Sequence, residues 1–176
     1  MPLLSIRSGL LLVVALIATL GMSGCSLDNL PSTAKENSLA ALRSALSDVD
    51  ACLADAFAKA PADESNAEFL ENLNPCANSY LVGLTSDEIE GFRPSGTGTY
   101  VTSIESVSGQ TLLSLVTVGT GVARAGAWSD HFTSIVCWSA RATFGELKVA
   151  PSDAECDRRV TVAWGESQGV LALSDF

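Results

Sequence analysis

Residues 111–142 read "TLLSLVTVGTGVARAGAWSDHFTSIVCWSARA", and this stretch decides the fold class. It is rich in Val, Thr, Ile and aromatic residues, which favour β-strands over helices. The small or polar clusters "GTG" (119–121) and "SD" (129–130) predict turns that divide it into strands at 111–119, 121–128 and 131–142. Because successive strands joined by short turns pair antiparallel, the stretch predicts an antiparallel sheet.

Short runs of the same kind lie on both sides of this stretch. They predict further strands at 99–107, 146–150, 159–164 and 169–176. The intervening turn signals are "SGQ" (108–110), "FG" (144–145), "PSD" (151–153) and "GESQG" (165–169). The sequence therefore predicts a sheet of about five to seven strands.

The residues before the sheet have a helical pattern instead. Pro61 ends a segment, 38–60, in which large apolar residues recur at steps of three and four, and residues 62–75 offer a second, shorter helix before Pro75. Helices followed by strands indicate an α+β protein rather than an α/β protein. We expect an N-terminal two-helix hairpin packed on a curved, mostly antiparallel β-sheet. The apolar positions of the first helix are Leu39, Leu42, Leu46, Val49, Leu53 and Phe57.

The N-terminal segment "MPLLSIRSGLLLVVALIATLGMSGC" has the three parts of a secretory signal. Arg7 is the only charge before Asp28, and residues 9–20 form an apolar core that is too short to span a bilayer comfortably. The following Met22-Ser23-Gly24-Cys25 resembles the lipobox of bacterial lipoproteins, with Met22 where that family usually has Leu. The resemblance covers residues 1–25. It implies that the chain is cut before Cys25, whose thiol receives a diacylglycerol, and that fatty acids hold the protein on the membrane.

Cleavage at this point leaves 152 of the 176 residues, which is the size of one domain. The polar residues 25–37, which include Pro31, predict a tether, so that residues 38–176 form a single α+β domain. Residues 1–24 contain Arg7 and no acid, so their removal changes the formal charge from −10 to −11. An acidic surface repels phosphate groups, which argues against a nucleic-acid partner.

Four cysteines remain beside Cys25, and an even number in an exported chain predicts two disulfides. A helical hairpin would place Cys52 and Cys76 at the same height, and Cys137 and Cys156 flank an excursion that resembles a β-hairpin. The sequence has no C-x-x-C motif and only one histidine, so it predicts neither a redox pair, nor a metal site, nor a cofactor.

Three short motifs raise the question of catalysis. "GESQG" (165–169) matches the G-x-S-x-G nucleophile elbow with Ser167, but only seven residues follow it, and the sole histidine, His131, lies upstream. "STAK" (32–35) matches S-x-x-K without the S-D-N and K-T-G partners of that motif. Asp130 and His131 are neighbours in an extended segment, so they point to opposite faces. We therefore predict no catalytic residues, and we interpret "GESQG" as a hairpin turn.

The aromatic residues of 131–142 give a different hypothesis. Phe132, Val136 and Trp138 share one face of their strand, while Ile135 and Cys137 share the other. Such a row is typical of a core packed against helices. It is also compatible with a ligand pocket lined by Trp128, Phe132 and Trp138.

Together these observations favour a non-enzymatic binding domain on the extracytoplasmic face of the cell membrane, anchored through Cys25 and interacting with another envelope protein. One alternative is a carrier or sensor for a small apolar ligand, held between the helices and the sheet. A second alternative is a small hydrolase that uses Ser167 or His131.

Overall fold

One long helix precedes a five-stranded sheet in this protein, whose computed structural model describes residues 27–91, 96–157, 160, 163–164 and 168–176. Helix first and mostly antiparallel sheet afterwards confirm the α+β class. The helices are α1 (Leu30–Lys59), α2 (Asn66–Leu73) and α3 (Ser86–Gly91), with 3-10 turns at Leu27–Asn29 and Leu173–Asp175. The strands are β1 (Gly98–Val107), β2 (Gln110–Ala125), β3 (Trp128–Ala142), β4 (Ala150–Asp153) and β5 (Gln168–Leu171).

The predicted hairpin of two helices is not confirmed, because α1 is the only long helix in the described residues. α2 has eight residues and starts at a capping box, in which Ser65 Oγ accepts from the Glu68 N–H and the Glu68 carboxylate accepts from the Ser65 N–H. Pro75 follows the C-cap residue Asn74, and proline, which lacks the backbone N–H, cannot continue the helix. The ring of Phe69 packs against Phe57 near the end of α1, with 4.6 Å between centroids.

α1 begins earlier than the sequence predicts. Residues 27–37, which were expected to form a tether, are helical, and Ala34 is buried. Pro31 is compatible with this start because the first turn of a helix does not need the N–H that proline lacks. Residues 30–37 are therefore part of the same helix as residues 38–59.

The sheet is a meander extended at one edge. β1, β2 and β3 pair antiparallel in the order of the sequence. The other edge of β3 binds β4 antiparallel, with Trp138 opposite Asp153, and β5 parallel, with Thr133 opposite Gln168. β4 and β5 thus lie end to end along one strand.

Two predicted turns lie inside strands instead. β2 continues through "GTG" and β3 continues through "SD", and the chain reverses at Gly126 and Ala127. Gly119 and Gly121 do not form a turn; they allow the backbone of α1 to lie close to the backbone of β2. A Cβ atom at Gly121 would lie within 3.0 Å of the Ala34 carbonyl oxygen, and one at Gly119 would lie within 3.0 Å of the Ser38 carbonyl oxygen.

The C-terminal third also differs from the prediction. Residues 146–149 lie outside any strand, and "PSD" is part of β4 rather than a turn. Val160 and Ala163 are helical where a strand was expected. Because β5 is parallel to β3 and follows helical residues, "GESQG" does not join two antiparallel strands, and its residues 165–167 lie outside the described part of the chain.

Each face of the sheet carries its own apolar cluster. The first, under α1, includes Leu42, Val136 and Trp138, and the second, on the opposite face, includes Ile135 and Cys137. The predicted division of β3 into two faces is therefore confirmed.

Both predicted cysteine pairings are present in the structure. Cys52 is joined to Cys76 and Cys137 to Cys156, with Cα–Cα distances of 5.4 and 5.2 Å. The first disulfide links the end of α2 to α1, and the second fixes residues 154–157 to β3.

Candidate functional site

The three residues predicted to line a pocket do not come together. Trp138 is 2% exposed and packs under α1, where its Nε1 donates to Thr117 Oγ1 at 2.9 Å. Trp128 is 68% exposed, while Phe132 is half-buried, with Lys35 Nζ 6.0 Å from its ring centroid. Ten strand residues separate Trp128 from Trp138, which corresponds to about 33 Å. Trp138 is thus a core residue, whereas Trp128 lies exposed at the other end of β3.

A cleft of about 310 Å³ lies instead on the face of the sheet opposite α1. Its floor belongs to β1, β2 and β3, and its walls belong to two short segments that cover this face. The floor includes Thr102, Ser103, Ser114, Val116 and Cys137. The walls include Leu81, Leu84 and Ile89 on one side and Glu155, Asp157 and Val160 on the other, and Trp138 also borders the cleft.

The cleft exists because this face is covered by short elements. α3 has six residues and buries Ile89, and the opposite wall is held by the Cys137–Cys156 disulfide. The floor is shaped by an irregularity in β1, where the register shifts between Val101 and Ser103. Such bulges redirect side chains and are common beside binding sites.

Hydrogen bonds within the chain hold the floor and the first wall in place. Thr102 Oγ1 donates to the Ser114 carbonyl oxygen at 3.1 Å across β1 and β2. Before α3, the Glu88 carboxylate accepts from the N–H of Thr85 at 2.8 Å and from its hydroxyl at 2.7 Å. These two bonds lower the pKa of Glu88, so the carboxylate stays ionised and caps α3 over a wide pH range.

The polar groups of the cleft are hydroxyls and carboxylates. Glu155 and Asp157 are exposed on its rim, and Thr102, Ser103 and Ser114 contribute hydroxyl groups. No Lys or Arg is among the described residues that line it. The hydroxyl groups and the carboxylate of Glu155 favour a ligand that combines apolar surface with hydrogen-bond donors.

Tyr100 and Trp164 belong to the apolar cluster beside the cleft. Their rings make an edge-to-face contact, with centroids 5.4 Å apart. Burial raises the pKa of Tyr100, so its phenol is neutral throughout the physiological range. The pair therefore supplies a rigid aromatic support rather than a charged group.

The residues considered for catalysis are not assembled into a catalytic site in the described part of the chain. His131 is exposed, and Asp130 Oδ1 accepts from the backbone N–H of His131 at 2.9 Å. Ser32 Oγ donates to the Asn29 carbonyl oxygen in the first turn of α1. Ser167 lies outside the described residues, and the elements on its two sides are helical residues and then a strand, the reverse of the order in a nucleophile elbow.

Two further observations concern metals and membranes. Within the described ranges, no group of three or more His, Cys, Asp or Glu residues is arranged to hold a metal ion. None of the helices in those ranges is both long and apolar enough to cross a membrane. Cys25, the predicted lipid attachment site, and the signal segment 1–24 lie outside the described residues.

One signal for the cleft is present in the sequence of β2. Val116 and Val118 alternate with Leu113 and Leu115, so both faces of β2 are apolar and both must be covered. The residues that cover the second face, among them Ile89 and Val160, come from separate parts of the chain, so no single segment indicates how that face is covered.

Comparison with known proteins finds no family model, no characterised protein sequence and no solved structure that matches this chain.

Proposed function

We propose that this protein is a binding domain on the extracytoplasmic face of the cell membrane, where a lipid on Cys25 anchors it. The domain binds an envelope protein and does not catalyse a reaction. The observation that carries the binding role is the cleft on the face opposite α1. Its volume of about 310 Å³ is near the lower limit of small-molecule pockets, about 300–1,000 Å³. A space of this size suits one or two side chains of a partner.

The chemistry of the cleft indicates what kind of side chain it accepts. Val116 and Ile89 provide apolar contact, and the exposed carboxylate of Glu155 lies on the rim. Lys and Arg combine an apolar stem with a cationic head, so either residue matches this arrangement. The formal charge of −11 after removal of residues 1–24 would also attract a basic partner over longer distances.

Support for export comes from the cysteines. Disulfides persist in oxidising compartments, and the structure joins both pairs that follow Cys25. The location at the membrane rests on the resemblance of residues 22–25 to a lipobox.

The anchoring half of the proposal is tested by the intact mass of the protein extracted from its own membrane, with and without reductant. We expect the mass of residues 25–176 plus lipid, less four hydrogens that reductant restores. A mass without lipid would overturn the anchoring and the location inferred from it.

The binding half is tested by calorimetric titration of this protein with an amphipathic Lys/Leu peptide and with its Glu/Leu counterpart. We expect the Lys/Leu peptide to bind and the Glu/Leu peptide not to bind. Glu155→Lys should weaken binding of the Lys/Leu peptide about tenfold. Glu36→Lys, an equal charge change on the exposed side of α1, is the matched control and should have little effect. Equal losses in both variants would show non-specific charge attraction and remove the cleft from the proposal.

A carrier for a small apolar ligand keeps one supporting observation, which is the apolar floor of the same cleft around Val116. A releasable small-molecule mass in the native spectrum would favour this alternative. The hydrolase alternative requires labelling by a serine-reactive fluorophosphonate that disappears in Ser167→Ala.

A further inference from the structure

The start of α1 lies beside the end of the sheet that carries the β2–β3 turn. Ala34 packs over Gly121 and Ser38 over Gly119, so the helix and β2 run in opposite directions. Asn37 Nδ2 donates to the Val122 carbonyl oxygen at 2.9 Å, one residue closer to the turn. Residues that precede Ala34 therefore approach the turn.

The length of the chain limits how far the predicted lipid site can lie from this end. Leu27 precedes Ala34 by seven residues, or about 10 Å of helix. Gly126 follows Gly121 by five strand residues, or about 16 Å. Because Ala34 packs over Gly121, both distances start at the same level, and the turn therefore reaches about 6 Å beyond Leu27. Cys25 is two residues from Leu27, and that length of chain spans at most about 7 Å. A lipid on Cys25 would thus enter the membrane close to the β2–β3 turn.

The surface at this end has the composition of a membrane contact. Trp128 is 68% exposed, and the alternation of β3 places it on the same face as Phe132, which lies near Lys35 of α1. Arg124 is exposed on the other side of the turn. The tip itself, residues 124–128, contains no acidic residue, and the nearest one along β3 is Asp130. Trp and Arg are residues that favour the boundary between headgroups and acyl chains.

We propose that the β2–β3 tip, residues 124–128, lies in the headgroup layer of the anchoring membrane with Trp128 inserted at the interface, a placement that rests on the lipid anchor at Cys25. The domain then stands on this end of the sheet. Cys137, in the cleft floor, is nine strand residues from Trp128, which holds the cleft about 30 Å from the bilayer surface and open to the side.

The test uses the protein extracted from its membrane, reconstituted into phosphatidylcholine vesicles with brominated acyl chains, which quench nearby tryptophan. Trp128→Phe identifies the signal of Trp128 among the three tryptophans. The matched control is Trp128→Phe combined with Leu147→Trp. Position 147 is 72% exposed and lies two residues after Gly145. The N–H of Gly145 donates to the carbonyl oxygen of Phe57, near the end of α1 that is about 40 Å from Leu30, so position 147 lies far from the tip.

We expect about twofold quenching of the Trp128 emission and almost none of tryptophan at position 147. Equal quenching at the two positions, or none at Trp128 in a preparation whose intact mass includes the lipid, would overturn the placement and leave the anchor intact. A preparation whose mass includes no lipid would overturn the anchor and, with it, the placement.

Discussion

The two faces of the sheet are built from the same strands but are covered in different ways. One face is covered by a single helix of 30 residues that packs directly on the backbone of Gly119 and Gly121. The other is covered by the six-residue α3 and by residues such as Cys156 and Val160, and it contains the cleft. A long helix covers a face continuously, whereas short segments leave space between them.

This difference separates stability from binding within one domain. Close packing across the α1 face leaves Leu42 and Trp138 almost without exposed surface. On the cleft face, buried Val116 and Cys137 line the same cleft as exposed Glu155. We therefore expect substitutions on the α1 face to change stability most, and substitutions on the cleft face to change binding of the Lys/Leu peptide most.

The largest effect should come from the close contact of α1 with β2. Gly121→Ala places a methyl group against the Ala34 carbonyl oxygen, which is backbone and cannot move aside alone. We expect a loss of about 4–5 kcal/mol in the free energy of unfolding, measured by guanidinium denaturation. Gly98→Ala in β1 is the control, because its Cβ would meet nothing within 4 Å. A loss below about 1 kcal/mol would show that α1 can shift away from the sheet.

The same substitution made once on each face comes next. Leu42→Ala, under α1, should cost about 4 kcal/mol, because the closely packed helix cannot collapse into the cavity. Leu81→Ala, in the cleft wall, should cost about 2 kcal/mol, because water can enter the enlarged space. Urea unfolding of both variants measures the difference. Equal losses would mean that the cleft face is packed as firmly as the α1 face.

The two disulfides close loops of similar length, with sequence separations of 24 and 19 residues. Replacing either pair by alanines should therefore cost about 3 kcal/mol. Only loss of Cys137–Cys156, which fixes a wall of the cleft, should also weaken binding of the Lys/Leu peptide. Calorimetry on the two variants tests this, and equal weakening by loss of Cys52–Cys76 would contradict it.

The smallest effect is the response to acid. Hydrogen bonds from Ser65 and Thr85 lower the pKa values of Glu68 and Glu88. Because a lowered pKa in the folded state favours the ionised carboxylate, its stabilising effect is present above the ordinary value of 4.5 and is lost as the pH falls through the folded value.

We expect Glu68→Gln and Glu88→Gln each to flatten slightly the pH dependence of unfolding below pH 4.5, measured by thermal melts. Glu88→Gln should also weaken peptide binding, since Glu88 caps α3 in the cleft wall. Unchanged pH dependence in both variants would show that the two caps do not hold in solution.

Much of the framework could be predicted from the sequence because it depends on local periodicity. Steps of three and four residues located the buried side of α1 at Leu42, Val49 and Leu53, and alternation assigned Val136 and Ile135 to opposite faces. The cysteine pairings were accessible too, since each pair lies within one local excursion of the chain.

Other elements depend on contacts that are distant in sequence. Gly119 and Gly121 have the composition of a turn, and only their contact with α1 shows why these positions are glycine. The same contact buries Ala34 and makes residues 27–37 helical although they are polar. β4 and β5 are short strands that form on the available edge of β3, which no local pattern specifies.

Local patterns in the sequence were enough to predict the α+β order, the buried side of α1, the two faces of β3 and the pairing of the cysteines, because these follow from the period of the backbone and from chain length. That α1 closes one face while the other face keeps a cleft is visible only in the folded protein. The physical reason is that an apolar face specifies that it must be covered, whereas the space that remains depends on the lengths and positions of the segments that cover it.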